Sequence, residues 1–492
     1  MEDLAPAAAP PIAFDNSYAR LPARFHARLA PTPVRAPKLI GVNAGLARRL
    51  GIDPAALTAE VLAGNRVPDG AEPLAMAYAG HQFGNWVPQL GDGRAILLGE
   101  VVGTDGVRYD IQLKGSGPTP FSRGGDGRAA LGPVLREFLV SEAMAALGVP
   151  TTRTLGAATT GEIVLRQEGP LPGAILARVS RSHVRVGTFE YFGNRGDVEA
   201  VRTLADYVIA RLYPAVDGYR GLLEAVIART AALVARWQLL GFIHGVMNTD
   251  NTSIAGETID YGPCAFLDAY DFAAVFSSID QGGRYAYGNQ PRIAQWNLAR
   301  LAQALLPLLD ADQDAAVKIA QAAIDAYPAQ FEAAYFAGLR AKLGFAAARD
   351  GDLDLIGAFL RHMADGHADF TLTFRRLCDS AEDAVADGAL GALFDNDAAV
   401  QAWLPAWRAR LAEETISPAE RADAMRAVNP AFIPRNHRIE AAIAAAQQNG
   451  DYAPFDELRK VLSAPYADQP AFARYSDPPK PEERVLQTFC GT

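Results

Sequence analysis

Cysteine is scarce in this chain: only Cys264, Cys378 and Cys490 occur among its 492 residues, and they lie far apart. A disulfide framework needs several paired cysteines and a zinc knuckle needs closely spaced ones, so the sequence excludes both. Half of the residues are hydrophobic, which is enough for a sizeable core without such staples. We expect a reducing environment, the cytoplasm of a bacterium.

The chain also has no excess of basic charge and no long apolar runs. Asp and Glu outnumber Lys and Arg by 56 to 46, which gives a net charge of −10 and disfavours a nucleic acid polymer or an anionic membrane as partner. No uncharged apolar run approaches the ~20 residues that a membrane span needs. The acidic, Ala/Pro-rich start does not have the features of a signal peptide.

The pattern of apolar residues indicates an α+β protein. Strand patterns at Ala95–Glu100 and Arg108–Lys114 precede a helical pattern over Ala130–Leu147, and two more strand patterns follow before the chain turns helical after Val198. A second strong helical stripe, Leu222–Leu240, leads through Gly241 into a polar loop. The length predicts two or three domain-sized units.

That loop is the most informative segment of the sequence. It runs from His244 to Asn251 and is followed by Ile-Asp-Tyr-Gly at residues 259–262. Kinases carry a related pair, in which a loop supplies a His, a catalytic Asp and a metal-binding Asn, and a following Asp binds metal. Val246 stands where the catalytic Asp belongs. The pattern therefore indicates nucleotide chemistry without the usual base, and His244 is expected to support the loop.

Two oxygen-bearing residues of this segment are candidate metal ligands. Asn251 and Asp260 carry the hard oxygen ligands that Mg²⁺ prefers, and Mn²⁺ would fit as well. Asp250 is the remaining carboxylate of the loop, so it is the candidate general base. The alternative for Asp250 is an Asx-turn that only stabilises the loop.

Cationic side chains upstream are candidate phosphate ligands. Lys114 ends a strand, and Glu137 lies in the following helix as its expected partner, with Glu142 as an alternative. Arg178 and Arg185 flank a strand-like stretch and suit bidentate contacts with phosphate, although Arg181 could replace either. Glycine-rich turns on both sides of Lys114 could also cradle phosphate, but they match no Walker or dinucleotide pattern.

Several longer motifs resemble those of the selenoprotein O family. They are Tyr78–Gly84, Gln89–Arg94, Gln112–Gly117, Arg136–Leu139, His183–Glu190 and the loop His244–Asn251. The resemblance runs from about Tyr78 to Leu308 and includes the tail. It implies a kinase-like fold that binds ATP in a flipped orientation and transfers AMP to protein hydroxyls.

The resemblance also implies roles for individual residues. The base falls on Asp250 and the metal ligands on Asn251 and Asp260, which agrees with the chemistry of the loop. The nucleotide contacts of the family fall on Gly91, Gly93, Arg94, Lys114, Asp126, Gly127, Arg178 and Arg185, and Asp260 is expected among them as well as among the metal ligands. The expected cofactor is Mg²⁺ or Mn²⁺, with ATP as substrate and proteins as acceptors.

We therefore expect a bilobal, protein-kinase-like fold. Residues 1–12 would form a flexible tail, and residues 13–190 an N-terminal extension with a mixed-sheet, nucleotide-binding lobe. Residues 191–350 would form a helical lobe that carries the loop, and residues 351–492 a further helical region with an extended tail. The oligomeric state is left open.

Two other functions stay open at this point. A phosphotransferase would require Asp250 to act on the γ-phosphate, and an inactive ATP-binding scaffold would have no need of the metal ligands. The residues do not distinguish ATP from UTP, so transfer of UMP is a variant of the first hypothesis, and they do not select Ser, Thr or Tyr as acceptor. Cys490 is a further candidate, because a reversible disulfide with Cys264 would couple activity to redox state.

Overall fold

A single antiparallel sheet organises the first part of the chain in this computed structural model, which describes residues 12–167 and 169–489. Its strands lie in the order β1-β3-β6-β7-β10-β9-β2, with β8 paired to β10, while β4 pairs with β5 and β11 with β12. The strands are β1 (His26–Arg28), β2 (Lys38–Val42), β3 (Leu74–Met76), β4 (Gly80–Gln82), β5 (Asn85–Val87), β6 (Ala95–Val102), β7 (Arg108–Lys114), β8 (Ala129–Ala130), β9 (Arg153–Arg166), β10 (Gly169–Ser180), β11 (Phe242–Ile243) and β12 (Ala265–Phe266).

Helices dominate the remainder of the described chain. They are α1 (Ala44–Arg49), α2 (Ala59–Leu62), α3 (Leu131–Ala146), α4 (Val186–Gly193), α5 (Val198–Leu212), α6 (Gly218–Leu240), α7 (Gln290–Leu309), α8 (Gln313–Asp325), α9 (Tyr327–Lys342), α10 (Asp352–Asp365), α11 (Phe370–Glu382), α12 (Asp387–Gly391), α13 (Ala398–Leu411), α14 (Pro418–Arg426), α15 (Asn436–Asn449) and α16 (Ala453–Leu462). The α+β class expected from the sequence is confirmed. No helix in the described ranges has both the length and the apolar character needed to cross a membrane.

The main sheet is antiparallel in all of its described strand pairs, so the expectation of a mixed sheet is wrong. Helix α3 connects β7 to β9, and such a crossover joins strands that run in the same direction. Strand β10 returns from β9 by a hairpin and lies between the two. The strands of equal direction are therefore separated and never pair.

Helix α3 is buried on two sides because apolar residues occupy most of its circumference. One side packs on β9 and β10, and the other packs on α15 and α16. Phe138 of α3 meets Phe455 of α16 edge to face, with ring centroids 5.5 Å apart. The helix ends before Gly148, whose φ of +79° suits glycine. The C-terminal helices thus fix the helix that carries Glu137.

The second long helix, α6, delivers the polar loop. Its buried side includes Leu223, Ile227, Val234 and Trp237, and Gly241 ends it in the left-handed conformation with φ +69°. The chain then forms β11, which pairs with β12 on the far side of the loop. Because this short ladder joins the two ends of the segment, both candidate metal ligands lie between its strands.

A separate apolar cluster holds the helices from α9 to α14 together. Trp403 stacks on Phe359 at a centroid distance of 4.5 Å and on Trp407 at 5.5 Å. After α16 the chain returns towards the loop, where the backbone of Thr488 bonds to Phe276 and Ser278. The predicted flexible tail lies outside the described residues except for Ile12, which is buried. The domain boundaries stay predictions.

Phe455→Ala should destabilise the fold by about 3–5 kcal/mol, because it removes a fully buried aromatic side chain and leaves a cavity against α3. The measurement is the midpoint of thermal or urea unfolding. Val385→Ala is the control, since Val385 is 87% exposed and its truncation should change stability by less than about 0.5 kcal/mol. Equal effects of the two substitutions would contradict the packing of α16 on α3.

Candidate functional site

A cavity of about 880 Å³ brings the predicted residues together. It opens between the glycine-rich turns around β6 and β7, the end of β10 and the loop that follows β11. Eleven predicted residues line it: Gly91, Gly93, Arg94, Lys114, Asp126, Gly127, Arg178, Arg185, Asp250, Asn251 and Asp260. Glu137 is buried behind Lys114. The structure thus supplies one location for residues that are far apart in the sequence, whereas their roles stay predictions.

The sheet places two cations side by side. In the antiparallel pair of β7 and β10, Arg178 lies opposite Gln112, and Lys114 lies two residues further along the same face. Arg178 donates from Nη2 to Oε1 of Gln112 at 2.6 Å, which fixes its guanidinium plane. Arg181, the alternative to Arg178, does not line the cavity. Because side chains on a strand alternate between its two faces, Arg178 and not Arg181 lies on the face that carries Lys114.

Lys114 is clamped between two carboxylates. Its Nζ donates to Oε2 of Glu137 at 2.6 Å and to Oδ1 of Asp260 at 2.9 Å. Glu142, the alternative partner, instead accepts from Arg153 at 2.7 and 2.9 Å. The lysine is consequently held at the cavity wall, where it can meet a phosphate group.

Asp260 is the point at which the cations converge. Arg178 donates to its Oδ1 at 2.6 Å, and Arg185 approaches Oδ2 at 3.5 Å. Burial opposes ionisation, but Arg178, Lys114 and Arg185 outweigh it and hold the Asp260 pKa well below its usual range. Its φ is +64°, a left-handed conformation that few residues other than glycine adopt. Backbone strain of this kind is typical of functional positions.

Arg185 links the cation cluster to Asp250, the candidate base. It is the N-cap residue of α4, and its Nη1 donates to the backbone oxygen of Asp250 at 2.8 Å. Its guanidinium lies over the ring of Tyr78 at 4.4 Å from the centroid. Nη2 is buried without a hydrogen-bond partner among the described residues. An anionic ligand in the cavity would satisfy that donor.

The loop is supported from within, as expected for His244. The ring Nε2 of this histidine lies 2.8 Å from the oxygen of Ile259, and its Nδ1 accepts from the N–H of Val246. Burial lowers the His244 pKa, so the ring is neutral at pH 7. The buried Val246 side chain lines the cavity and offers no proton acceptor.

Asp250 is held by a hairpin whose role the sequence did not indicate. Strands β4 and β5 lie over the loop, where Gln82 Nε2 donates to Oδ2 of Asp250 at 3.2 Å. A Cβ on Gly80 would lie 2.6 Å from Oδ1 of Asp250, so any side chain there would displace this carboxylate. Oδ1 has no hydrogen-bond partner among the described residues. Burial raises the Asp250 pKa to about 6, against the influence of Arg185 and Gln82.

A second layer holds the neighbouring residue Thr249. The backbone N–H of His81 donates to Oγ1 of Thr249 at 2.7 Å, and the His81 ring Nδ1 lies 2.6 Å from Oε1 of Glu190. Sequence separation hid these contacts, since residues 81 and 249 share no local pattern. The only signal was the motif at Tyr78–Gly84, which carried no assigned role.

Two glycines in the glycine-rich turns on both sides of Lys114 have no room for a side chain. A Cβ on Gly127 would lie 2.1 Å from the backbone of Gly117, and one on Gly91 would lie 2.4 Å from the ring of Phe121. Asp126 forms a two-bond ion pair with Arg166, at 2.9 and 3.2 Å. Although burial opposes it, this pair lowers the Asp126 pKa. The turns therefore present backbone to the cavity.

The donor set fits a divalent ion that shares its coordination with phosphate. Asn251 donates from Nδ2 to the oxygen of Val246 at 3.1 Å, an orientation that leaves the amide oxygen as its ligand atom. No group of three or more His, Cys, Asp or Glu side chains suited to a metal occurs within the described ranges. Mg²⁺ is commonly held by one or two protein oxygens together with substrate phosphates. Asn251 and Asp260 are the candidates for such a pair.

The redox hypothesis rests on a residue outside the described part, Cys490. Its expected partner, Cys264, is buried, and its Sγ donates to the oxygen of Tyr261 at 3.3 Å. Burial raises the Cys264 pKa to about 12, so the thiolate that disulfide exchange needs is rare at pH 7. Thr488, two residues before Cys490 in the sequence, donates from Oγ1 to the backbone oxygen of Pro263, the residue before Cys264, at 2.5 Å.

Comparison with known proteins gives a consistent result. The family model described as protein adenylyltransferase SelO matches residues 10–463. A protein nucleotidyltransferase YdiU of Bradyrhizobium sp. (strain BTAi1) is 65% identical over 487 residues, covering 97% of this chain and 99% of that protein. Proteins of the same name from Rhodopseudomonas palustris (strain BisB5) and Rhizobium rhizogenes (strain K84) are 63% and 60% identical, with at least 97% of this chain and 98% of each relative covered.

Asp250→Asn should stabilise the protein at pH 8 and have little effect at pH 4. The folded-state pKa of about 6 exceeds the ordinary 3.8, so folding disfavours the ionised form, and stability is lost as pH rises through about 6. A neutral amide avoids a loss of roughly 1–3 kcal/mol at pH 8. Melting temperatures at both pH values test this, with Asp271→Asn on the surface as control. A destabilised Asp250→Asn variant at pH 8 would contradict it.

Proposed function

The chain belongs to the protein adenylyltransferase SelO family, and from that premise we propose that it transfers AMP from ATP to Ser, Thr or Tyr hydroxyls of proteins. The reaction would depend on Mg²⁺ or Mn²⁺, with Asp250 as base. Transfer of UMP from UTP is the corresponding variant. We also place the reaction in a bacterial cytoplasm, in keeping with the scarcity of cysteine.

One observation carries the assignment of the base. Asp250 is 7% exposed as a residue, lines the cavity and keeps one carboxylate oxygen without a hydrogen-bond partner among the described residues. Its pKa of about 6 leaves it ionised at pH 7 yet basic enough to accept a proton. Val246 occupies the place of a kinase base. In this proposal the proton acceptor is therefore Asp250, four residues after the position that carries the base in kinases.

The cavity suits a nucleoside triphosphate in size and charge. A volume of about 880 Å³ lies within the range of roughly 300–1,000 Å³ for small-molecule sites. Lys114, Arg178 and Arg185 face one side of it, and Arg94, Arg123, Arg128 and Arg166 also line it. These cations outnumber the carboxylates Asp92, Asp126, Asp250 and Asp260 on the same walls. A polyphosphate would balance the excess positive charge.

The step itself follows from these positions. Asp250 removes the proton from the acceptor hydroxyl, the hydroxyl oxygen bonds to the α-phosphorus, and the bond to the β-phosphate bridge breaks to release pyrophosphate. Lys114, Arg178 and Arg185 stabilise the charge that develops on the phosphate oxygens. Their mutual fixation through Asp260 and Glu137 orients them before the nucleotide enters, which reduces the reorganisation needed at the transition state.

A bound divalent ion would neutralise phosphate charge and polarise the reacting phosphate. Asn251 and Asp260 would hold it. The cations that occupy the Asp260 oxygens are also the expected phosphate ligands, so a polyphosphate that engages them would leave those oxygens to the metal.

We infer likewise that the sheet with α3, and the helices that follow, act as two lobes around the nucleotide.

The test is the mass of the product. After incubation with ATP and Mg²⁺, a modified protein should gain about 329 Da for AMP, whereas phosphate would add about 80 Da. Casein and the chain itself serve as trial acceptors, and ATP labelled at the α or γ position provides a second readout. Asp250→Ala should lower the rate by about 10²–10⁴-fold, while Asp271→Ala, an exposed carboxylate, should retain it.

The outcomes separate the competing functions. A gain of about 80 Da, or transfer of the γ label, would establish the phosphotransferase instead. Activity that persists in EDTA would show that the reaction needs no divalent ion. No transfer to any trial acceptor, with ATP bound, would favour the scaffold.

The rate of AMP transfer should fall below pH 6, because Asp250 must be ionised to accept a proton. Below its pKa of about 6, the rate should drop about tenfold per pH unit. Gln82→Leu removes a hydrogen bond that lowers this pKa, so the acid limb should move to higher pH. Steady-state rates between pH 5 and 8 measure the acid limb of the wild type and that of Gln82→Leu. An unchanged limb in Gln82→Leu would show that another group controls the profile.

A further inference from the structure

A second cavity lies beside helix α4, whose residue Glu190 contacts the ring of His81. Its volume is about 480 Å³, and it is formed by α4, α7 and the start of α8. It shares no residue with the nucleotide cavity. The polar residues that line it are Glu190, Asn194, Arg300, Gln303, Asp310 and Gln313.

Glu190 contributes a buried, half-satisfied carboxylate. Its side chain is 2% exposed, and Oε1 lies 2.6 Å from Nδ1 of His81. Oε2 is buried and has no hydrogen-bond partner among the described residues. Burial raises the Glu190 pKa, although Thr249, His81 and Arg300 oppose the shift. A cationic group beside it would remove this imbalance.

Arg300 contributes the opposite charge. Its guanidinium lies over the ring of Trp296 at 5.0 Å from the centroid, and its Nε is buried without a hydrogen-bond partner in the described ranges. Within those ranges it forms no ion pair with Glu190 or with any other carboxylate, although both residues line one cavity. Buried charges are normally paired. A ligand that carries both charges would satisfy the free oxygen of Glu190 and the guanidinium of the partly buried Arg300.

We propose that this cavity binds a small zwitterion of amino-acid size, with its ammonium group at Glu190 and its carboxylate at Arg300. Planar guanidinium groups suit carboxylates because they donate parallel hydrogen bonds. The volume is in the range of small-molecule sites, roughly 300–1,000 Å³. Asn194, Gln303 and Gln313 supply further polar contacts to the ligand.

The site is connected to the nucleotide cavity by two routes. Glu190 holds His81, whose backbone N–H donates to Thr249 next to Asp250. The His81 ring also meets Trp296 edge to face at 5.2 Å, and Trp296 lies against Arg300. A ligand ammonium beside Glu190 would change the charge around the carboxylate that holds His81. Occupancy of the cavity should thus alter the support of the base, an effect that rests on the proposed function.

Binding is tested first, on the full chain and without nucleotide. The probes are glycine, L-alanine, L-glutamine and L-lysine, with propylamine and propionate as ligands that carry one charge only. Calorimetry and thermal shift should show at least one zwitterion with Kd below about 1 mM, and neither single-charge probe should match it. Arg300→Gln, and Gln313→Trp to fill the cavity, should each weaken binding about tenfold or more. Arg292→Gln, an exposed arginine of the same helix, is the matched control.

Each result decides the proposal. If no zwitterion binds, or if Arg300→Gln binds as well as wild type, the cavity is a solvent-filled recess and the proposal fails. For a zwitterion that does bind, the rate of AMP transfer should change at least about twofold in wild type and stay constant in Arg300→Gln. Binding without any change in rate would overturn the connection to the base. A chain that binds the zwitterion but never transfers AMP would refute the proposed function and leave the second site standing.

Discussion

The carboxylate of Asp260 is the contact on which the geometry of the cavity depends. It joins a strand-end lysine, an arginine of the adjacent strand and, through both, a glutamate of the helix packed on the sheet. Buried ion clusters of this kind add little net stability, but removal of one partner typically costs about 3–5 kcal/mol. The cluster therefore acts as a constraint: sheet, helix and loop cannot shift relative to one another without exposing an unpaired charge.

Two aspartates on the same cavity wall have opposite electrostatic environments. Asp260 is surrounded by cations and stays ionised, whereas Asp250 has one carboxylate oxygen without a partner and a pKa raised by burial. Groups whose pKa values are pushed apart in this way usually have different chemical roles. The low-pKa carboxylate suits metal and cation binding, and the high-pKa one suits proton transfer. The division arises from neighbours and not from the residue type, which is the same.

The sequence predicted those features that depend on local patterns. The contact between Lys114 and Glu137 could be predicted because a strand end and a following helix have fixed periods. The loop residues could be predicted to lie together because they are close in sequence. The antiparallel sheet and the hairpin over Asp250 could not. Strand β10 inserts between β7 and β9 through long-range pairing, and Gln82 lies 168 residues before Asp250. No periodicity connects residues at such a separation.

The packing of α15 and α16 on α3 has a consequence for synthesis on the ribosome. The helix that carries Glu137 emerges early, but the helices that cover its second face are made only when translation reaches residues 436–462. Until then, the apolar side chain of Phe138 lacks its contact with Phe455, and a nascent chain with such a surface is prone to misassembly or chaperone capture. The cavity lined by Lys114 and Asp260 is thus completed late, so an incomplete polypeptide would not carry it in ordered form.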